Sequence, residues 1–462
     1  MNLSEQILEI ILTMRFAFAQ QRSFMKFTSF IFAILCTAGR HTITSLICFL
    51  KQEDKDWSST YRFFNSGVWD ANACFDEVLR LSLNKSLSRK NNQYILISID
   101  DFRVEKVGKT IPHTRYQLDP KSPPFHPNLM WGHRYLHATI VISRKKRGMW
   151  QASKSISIKL ELAPHVKKPG KRATEEEWEA YEKEKKEHNL TQLAAELIKE
   201  LRRLCDEFGY NDKDLIIVAD GGYCNKRIFS CLSERIHLVL RCRKDAKLCE
   251  RSKKKRKFYE DEHFTPHGIY KDEKISTQKS LFFYGRKNVN GKFKEKKEVY
   301  WQRGAQKREL RCLVVFGMKY RKNKNGNINY REPMYLLTTH LKLDAKTLIQ
   351  LYLYRWEIEV THRELKNDLG ISQAQVWNEL SVERCPKIIA LANSIIHLAK
   401  MMLNEDDDDN YLEPPKWYKK RKRISLEYLR RRLREEIVNS EFFKKIFDLE
   451  LSWESLFGRI AA

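Results

Sequence analysis

A chain of 462 residues, 42% of them hydrophobic, is long enough for roughly two to four structural units around a sizeable core. Its 86 lysines and arginines exceed its 59 acidic residues, and the net charge of +27 favours a polyanionic partner, whether DNA, RNA or an anionic membrane. Ten scattered cysteines, without a Cys-x-x-Cys pair or a secretory signal, exclude a disulfide framework and indicate a reducing cytoplasm.

Residues 1–88 carry apolar side chains at helical spacing and predict an all-helical N-terminal domain. The most apolar stretch, Phe27–Gly39, is shorter than the roughly 20 residues that cross a bilayer, so we expect no membrane span. Ahead of an enzyme core in a basic protein, such a bundle is predicted to be a DNA-binding domain, and a plain helical cap on the core is the alternative. The predicted helices are Ile7–Phe18, Phe27–Thr37, Ile43–Leu50, Trp57–Tyr61 and Trp69–Leu83.

From Tyr94 the pattern changes to short β-rich stretches that alternate with helices, with Pro and Gly at the turns. This order predicts an α/β core with a mixed sheet, built from residues 89–244 and 337–403. Its predicted elements are strands Tyr94–Asp101, His137–Ser143 and Ser155–Leu162, a helix Glu175–Cys205, a strand Asp214–Asp220, a helix Tyr223–Leu232, strands Ile236–Arg241 and Met334–Thr338, and a long helix from Asp344.

Residues 245–336 are predicted to be a β-rich insertion into this core, because short strands alternate there with lysine-rich loops. The strands centre on Leu281, Val299 and Leu313, and the loops are Arg251–Lys257 and Lys319–Lys324. Residues 404–462 are predicted to be a basic helical C-terminal region, in which the basic stretch Lys416–Arg423 precedes a helix Leu426–Ile437.

The long helix that begins at Asp344 places one carboxylate among basic and phenolic groups. Seven residues fall roughly 20° short of two helical turns, so Tyr352, Glu359 and Lys366 form one stripe, with Arg355 beside it. Ordinary solvated helices carry such groups too. A lone acid surrounded by phosphate-binding donors nevertheless suits a metal site that faces DNA.

Further acids end two of the predicted strands: Asp220 closes one, and the pair Asp100 and Asp101 closes another. A carboxylate at the end of a buried strand is costly unless it is paired or bound to a metal, although many such residues only cap a turn. Phosphoryl transfer with two Mg²⁺ ions roughly 3.5–4 Å apart requires about three converging carboxylates. One acid from each strand, together with Glu359, supplies that number.

The order Tyr352-x-x-Arg355-x-x-x-Glu359, followed by Lys366, resembles the signature of the YREK family of bacterial insertion-sequence DDE transposases, the insertion-sequence family numbered four. Two shorter blocks resemble the strand motifs of that family. One is Val218–Tyr223, which contains Asp220, and the other is Ile99–Asp101, where Phe102 follows in place of the usual Thr. The resemblance covers about residues 57–400.

The resemblance implies an RNase H-like fold and cleavage at the ends of a mobile element, through a DNA hairpin, followed by strand transfer. It implies that Asp220 and Glu359 are metal ligands for two Mg²⁺ ions, which Mn²⁺ can replace. The first ligand is Asp100 or Asp101, because adjacent strand residues face opposite ways, and the register of the family's block favours Asp101. The expected partners are double-stranded DNA (terminal repeats and target) and a second copy of the chain in a synaptic homodimer.

The same resemblance implies residues that bind DNA. Arg355 and Lys366 would hold phosphates near the cleavage site, and Tyr352 would contact the DNA backbone. Tyr335, on the strand before the long helix, matches the position of an aromatic that stacks a flipped base. Trp301 is the alternative, and both rings are equally compatible with core packing.

Other interpretations compete with this one. A structural zinc site at Cys242, Cys249, His263 and His267 is disfavoured, since the gap between the cysteines exceeds the usual spacing of about two to four residues. A nuclease that hydrolyses DNA without joining it would use the same acids. A catalytically inert DNA-binding derivative is disfavoured because all the acids and both basic residues are present, and a general RNA-binding protein would give no reason for the helix stripe.

Overall fold

The fold is given by a computed structural model, which describes residues 2–54, 56–87, 94–119, 122–123, 125–143, 145–146, 149–150, 153–254, 256–284, 287–321, 327–403 and 424–440. The predicted basic stretch Lys416–Arg423 and parts of both lysine-rich loops lie outside the described residues.

Five helices build the N-terminal part and confirm the helical prediction: α1 (Leu3–Thr13), α2 (Gln21–Cys36), α3 (Ile43–Phe49), α4 (Ser58–Asn65) and α5 (Ala71–Leu87). The first begins with a capping box, in which the side chains of Asn2 and Glu5 each accept a hydrogen bond from the other's backbone N–H. The apolar side chains of these helices and of one face of the central sheet form one continuous core. The helices therefore cover the sheet as a cap.

Eight strands precede the insertion: β1 (Tyr94–Glu105), β2 (Arg115–Leu118), β3 (Leu129–Ile142), β4 (Lys145–Lys146), β5 (Met149–Trp150), β6 (Lys154–Leu162), β7 (Asp214–Ala219) and β8 (Ile236–Arg241). Five of them lie in the order β6-β3-β1-β7-β8 and form one end of a twelve-stranded sheet. The β6-β3-β1 pairs are antiparallel and the β1-β7-β8 pairs are parallel. This mixed α/β arrangement fits an RNase H-like nuclease.

Strand β1 runs past the predicted end at Asp101. Its antiparallel pairing with β3 continues to the pair Glu105 and Gly132, whereas its parallel pairing with β7 stops at Ile99 and Ala219. Asp100 and Asp101 are therefore paired with β3 on one side of β1, whereas on the other side they lie just beyond the last residue pair between β1 and β7.

The charged helix predicted at Glu175–Cys205 is two helices, α6 (Glu175–Glu187) and α7 (Leu190–Glu207). Asn189 starts the second one, because its side-chain oxygen accepts hydrogen bonds from the N–H groups of Thr191 and Gln192. After β7, a single 3₁₀ turn over Gly221–Tyr223 leads into the short helix α8 (Lys226–Ser230).

The insertion is β-rich, and its strands continue the central sheet. β16 pairs with β8 on one side and with β13 on the other, and β12, β9, β10 and β11 follow. The elements are β9 (Leu248–Arg251), β10 (Tyr259–Phe264), α9 (Pro266–Lys271), β11 (Gln278–Tyr284), β12 (Lys287–Trp301), β13 (Gln306–Val315), β14 (Lys319–Arg321), β15 (Ile328–Tyr330) and β16 (Met334–Thr338).

The long helix predicted from Asp344 is broken. Asp344 is its N-cap, as expected, but the helix divides into α10 (Ala345–Leu353), α11 (Trp356–Arg363) and a π-helical turn over Glu364–Asp368. The backbone N–H groups of Arg355, Glu357 and Ile358 bond to carbonyls three residues earlier, which tightens the chain at the break.

Two helices complete the described chain, α12 (Glu379–Leu403) and α13 (Leu426–Val438). The second confirms the helix predicted in the C-terminal region. Within the described residues, α12 is the helix long and apolar enough to cross a membrane, and 83% of its apolar window is buried inside the protein, against the N-terminal helices and β6. That burial is typical of a core helix.

Candidate active site

Two of the predicted acids meet at one edge of the sheet. The parallel register of β1 and β7 ends at the pair Ile99 and Ala219, so Asp100 and Asp220 are the next residues on neighbouring chains. Leu96 of β1 and Val218 of β7 pack under α10, and alternation along the strands points Asp100 and Asp220 to that same face. The side chain of Asp220 caps the 3₁₀ turn, where it accepts a hydrogen bond of 2.9 Å from Gly222 N–H.

The third acid reaches this edge from the helix side. Arg355 lies at the break before α11, and its guanidinium donates to Asp100 Oδ2 at 2.9 Å and to Glu359 Oε1 at 2.7 Å. The side chains of Asp100 and Arg355 are each 15% exposed, and that of Glu359 is 34% exposed. One cation therefore bridges a strand acid and a helix acid that are far apart in the sequence.

The surroundings of Asp100 disfavour the charged form of its carboxyl group. Burial raises the pKa of Asp100 to about 7, and the neighbouring Asp220 and Asp101 act in the same direction, while Arg355 opposes them. Although burial alone would lower it, contact with Tyr352, Asp100 and Glu359 holds the pKa of Arg355 above its usual value.

Asp101 faces away from α10 and α11. Its Oδ2 accepts from Arg134 Nε at 2.6 Å and its Oδ1 from a second Arg134 nitrogen at 2.9 Å, and the Tyr223 hydroxyl donates to Oδ1 at 3.3 Å. Both carboxylate oxygens are thus occupied by side chains of β3 and of the 3₁₀ turn. The sequence preference for Asp101 over Asp100 does not agree with this geometry, because strand alternation turns Asp101 to the opposite face.

Tyr352 and Lys366, the remaining residues of the signature, differ in how exposed they are. Tyr352 is buried, and the Arg355 guanidinium lies 5.9 Å from its ring centroid, so the ring supports Arg355. Lys366 belongs to the exposed side of the π-helical turn, and its ammonium lies 5.4 Å from the ring centroid of Phe102. The predicted straight stripe is therefore interrupted by the helix break and by the π-helical turn, which shift the residues on either side relative to Glu359.

The two aromatics considered for base stacking are both packed into the protein. Tyr335 is 7% exposed, and its hydroxyl bonds to His267 Nδ1 at 2.9 Å. Its neighbour Leu336 lies under α10, so Tyr335 points to the other face of the sheet, away from Glu359. Trp301 packs on Phe229 and under the turn at Gly304. In this structure neither ring offers a free face to a base.

One contact near the acids was not anticipated from the sequence. His137 of β3 pairs with Asp100 in the strand register, and its Nδ1 lies 3.0 Å from Nε2 of His362 on α11. Both rings are buried, and burial lowers the pKa of each. The pair joins the strand that flanks Asp100 to the helix that carries Glu359. The available signal was the position of His362 three residues after Glu359, beside it on the helix.

The residues that could hold a metal were tested by their donor chemistry. Asp100, Asp220 and Glu359 offer carboxylate oxygens, which are the ligands that Mg²⁺ and Mn²⁺ prefer. The buried Asp100 with its raised pKa and the cationic Arg355 between two of the acids are what such a site requires when a positive charge must be supplied. The donor set fits divalent cations.

A second cluster is less suited to a metal. Among the described residues, one group of at least three His, Cys, Asp or Glu side chains has ligand atoms all within 4.8 Å of one another, namely Asp214, His237 and His340. It lies at the far end of β7 from Asp220, about 20 Å away at the strand rise. Nδ1 of His340 accepts from the N–H groups of Lys342 and Leu343, which leaves the proton on the nitrogen that faces Asp214.

The zinc alternative gains no support. His263 and Cys249 face each other in the β9–β10 pair, but His263 Nδ1 bonds to the Asp261 carbonyl and His267 Nδ1 to Tyr335. Within the described part of the chain, no group of closely spaced ligand atoms is formed by the four candidates Cys242, Cys249, His263 and His267.

Two family models match the chain. The family described as DDE superfamily endonuclease matches residues 15–259, and the family described as transposase DDE domain matches residues 179–384. The first match contains Asp100 and Asp220, and the second contains Asp220 and Glu359. The comparison with curated proteins gives no match. Since more than half of its length matches, the chain belongs to the DDE superfamily of endonucleases, as a DDE-type transposase.

Proposed function

We propose that this transposase cuts both ends of a mobile element and joins them to target DNA, and that Asp100, Asp220 and Glu359 are its catalytic acids. The observation that carries the proposal is the Arg355 guanidinium, which joins Asp100 to Glu359 beside Asp220. Membership of the YREK family, cleavage through a hairpin and action as a synaptic homodimer belong to the same proposal, and the Tyr352, Arg355, Glu359 and Lys366 pattern supports them.

Asp100 is proposed as the first acid in place of Asp101. It shares Arg355 with Glu359, and its pKa responds to the charge of Asp220. Asp101 instead has both oxygens engaged by Arg134 and Tyr223. A carboxylate held in this way is an ion-pair partner that fixes β1 against β3.

The three acids would hold two Mg²⁺ ions, or Mn²⁺, which supply activation of the attacking hydroxyl or water and stabilisation of the leaving oxygen. Arg355 and Lys366 are the cations placed to hold DNA phosphates next to the acids, since a guanidinium and an ammonium both donate to phosphate oxygens. In the absence of DNA, Arg355 neutralises Asp100 and Glu359. Buried Tyr352 keeps this guanidinium in position.

The test uses a plasmid that carries the gene with its native flanking DNA, incubated with the full chain and Mg²⁺. Glu359→Gln and Asp220→Asn should each abolish nicking and strand transfer while DNA binding, measured by gel mobility, stays near that of the unmodified chain. The matched control is Glu379→Gln, which changes an exposed acid in the first turn of α12. EDTA should also abolish cleavage.

Full cleavage by either variant, or in EDTA, would contradict the assignment of the acids. Cleavage without joined products would instead favour a DDE nuclease, since the DDE superfamily endonuclease match requires cutting alone.

A further inference from the structure

A three-stranded ribbon extends the sheet beyond the catalytic edge. After the parallel pairing with β7 ends at Ile99, strands β1 and β3 continue together to the pair Glu105 and Gly132. β2 then pairs with the outer end of β3, from Arg115 opposite Gly132 to Leu118 opposite Leu129.

One face of this ribbon is apolar and exposed, which is unusual for a surface of this charge. Tyr116 lies opposite Trp131, with ring centroids 4.8 Å apart, and Leu118 lies opposite Leu129 on the same side. Tyr116, Leu118 and Leu129 are each about 60% exposed. Trp377, which is 69% exposed, adjoins them at Gly108, whose carbonyl accepts a hydrogen bond from the Trp131 indole. These five side chains are called the aromatic face below.

The aromatic face lies on the same side of β3 as the register partner of Asp100. Trp131, His133, Tyr135 and His137 share this side of the strand, His137 is the register partner of Asp100, and the three residues that follow Trp131 in this series are buried. The chain that leaves the π-helical turn follows the ribbon, because Lys106 Nζ donates to the carbonyls of Ser372 and Ala374. From His137 to Trp131 the strand rises about 20 Å, so the aromatic face lies at a distance from the acids.

The charge around the ribbon suits a nucleic acid. Residues 103–134 contain six lysines and arginines and two acids, Glu105 and Asp119. Lys106 is buried and Arg134 pairs with Asp101, whereas Lys109 is exposed. Exposed aromatic rings within a basic segment are the features with which proteins hold unpaired bases, because every base has a face that can stack. Duplex DNA, whose bases are already stacked on one another, gains less from such rings.

We infer that the aromatic face binds unpaired DNA bases outside the active site. The inference rests on the proposed function, in which DNA occupies the acids. Tyr116 and Trp377 act as stacking surfaces, and Leu118 and Leu129 provide apolar contacts beside them.

The test measures binding of the full chain, in EDTA, to single-stranded oligothymidylate about 15 nucleotides long and to a duplex of the same length, by fluorescence anisotropy. Tyr116→Ala and Trp377→Ala should each weaken single-strand binding by about 5- to 150-fold, as expected for the loss of one stacked base. Duplex binding should change by about twofold or less, since paired bases do not stack on the rings. Tyr116→Trp should restore single-strand binding.

The matched control is Tyr330→Ala, which removes an equally exposed tyrosine from the separate β14–β15 pair. If the Tyr116 and Trp377 variants bind single strands as the unmodified chain does, the inference is wrong while the proposed function stands. The inference is also wrong if these variants lose only self-association, seen by light scattering, because the face is then an interface between copies. If the unmodified chain binds neither DNA, the proposed function itself fails.

Discussion

At the scale of single residues, we propose that Asp100 is a catalytic acid and that Asp101 has a structural role. Asp100→Asn should abolish cleavage, because it removes the carboxylate that shares Arg355 with Glu359. Asp101→Asn should keep most of the cleavage but lower the free energy of unfolding by about 1–3 kcal/mol, since Arg134 loses a two-point partner.

Plasmid nicking and thermal unfolding, measured on both variants, distinguish the two roles. A structural Asp100 and a catalytic Asp101 would give the reverse result, with the stable variant inactive. Arg134→Ala serves as the control, because it should reproduce the stability loss of Asp101→Asn with little effect on cleavage.

The choice between these two acids was beyond sequence reasoning for a physical reason. Strand β1 was expected to end at Asp101, and a terminal residue has no defined facing. The decisive partners are Arg134, which is 33 residues away, and Arg355, which is 255 residues away from Asp100. By contrast, Asp220 and Glu359 were proposed from local pattern alone, since one follows a short apolar strand and the other belongs to a spaced signature, and their catalytic role stays a prediction.

At the scale of elements, the strands were predicted better than the helices. Ile236–Arg241 and Met334–Thr338 have the predicted bounds, because each is a compact run of β-forming residues. The catalytic helix was expected to be continuous, and no local signal marks its break at Arg355 or its π-helical turn. Both irregularities coincide with tertiary ion pairs, namely those of Arg355 and of Glu364.

Glu364 should anchor the π-helical turn through a buried charge network. It is 8% exposed, and its Oε2 accepts from Lys154 at 2.5 Å, His397 at 3.0 Å and Asn393 at 3.2 Å. Glu364→Gln should lower the free energy of unfolding by about 3–5 kcal/mol at neutral pH, because the buried Lys154 ammonium loses the carboxylate with which it forms an ion pair. Glu379→Gln, at an exposed position, should change it by less than about 0.5 kcal/mol.

The pH dependence of that loss has a definite sign. Although burial alone would raise it, Lys154 and His397 hold the pKa of Glu364 well below its usual range. A depressed pKa in the folded state stabilises the protein fully above the unfolded value, about 4.3, and the stabilisation is lost as the pH falls through the folded value. In denaturant unfolding, the free energy of unfolding should therefore differ more between the Glu364→Gln variant and the unmodified chain at neutral pH than at strongly acidic pH. A difference that stays constant with pH would argue against the network.

The C-terminal helix α13 should be required for stability. Arg430 donates from Nε to the Leu35 carbonyl at 2.9 Å, from a second nitrogen to the Asp368 carbonyl at 2.9 Å and from the third to Thr37. It thereby caps the end of α2 and the end of the π-helical turn together. Arg430→Met should cost about 2–4 kcal/mol of unfolding free energy, since several buried carbonyls lose their donors.

Arg431→Met is the matched control for Arg430→Met, because the neighbouring arginine is half exposed and forms an ion pair with Glu435 at the surface. Similar melting temperatures for the two variants would show that α13 is a peripheral attachment. Arg430→Lys should not restore stability, since an ammonium cannot reach three carbonyls with the geometry of a guanidinium.

At the scale of the whole molecule, the candidate active site and the aromatic face have different origins. The acids proposed as catalytic come from strands and a helix that are distant in sequence, while the ribbon that extends β1 and β3 is local. The N-terminal helices share the core of the sheet, so their role as a cap follows from packing, and DNA contact by them remains a proposal. The amino-acid composition indicated a polyanionic partner, but it could not indicate which surface of the protein binds that partner.

The net charge of +27 makes the salt dependence of DNA affinity a test of the whole surface. Each phosphate neutralised by Lys or Arg releases counterions, so contacts to about 6–10 phosphates should weaken binding by roughly 10³- to 10⁵-fold between 50 and 200 mM salt. Affinity for a duplex, measured by anisotropy across that range, gives the slope. Lys366→Ala should lower the slope by about one contact, since its ammonium lies on the exposed side of the π-helical turn beside the acids. The Arg430→Met variant, whose lost charge is buried, should keep the slope of the unmodified chain at a temperature where it is folded. A flat salt dependence would mean that the positive charges serve solubility and that DNA is held by other contacts.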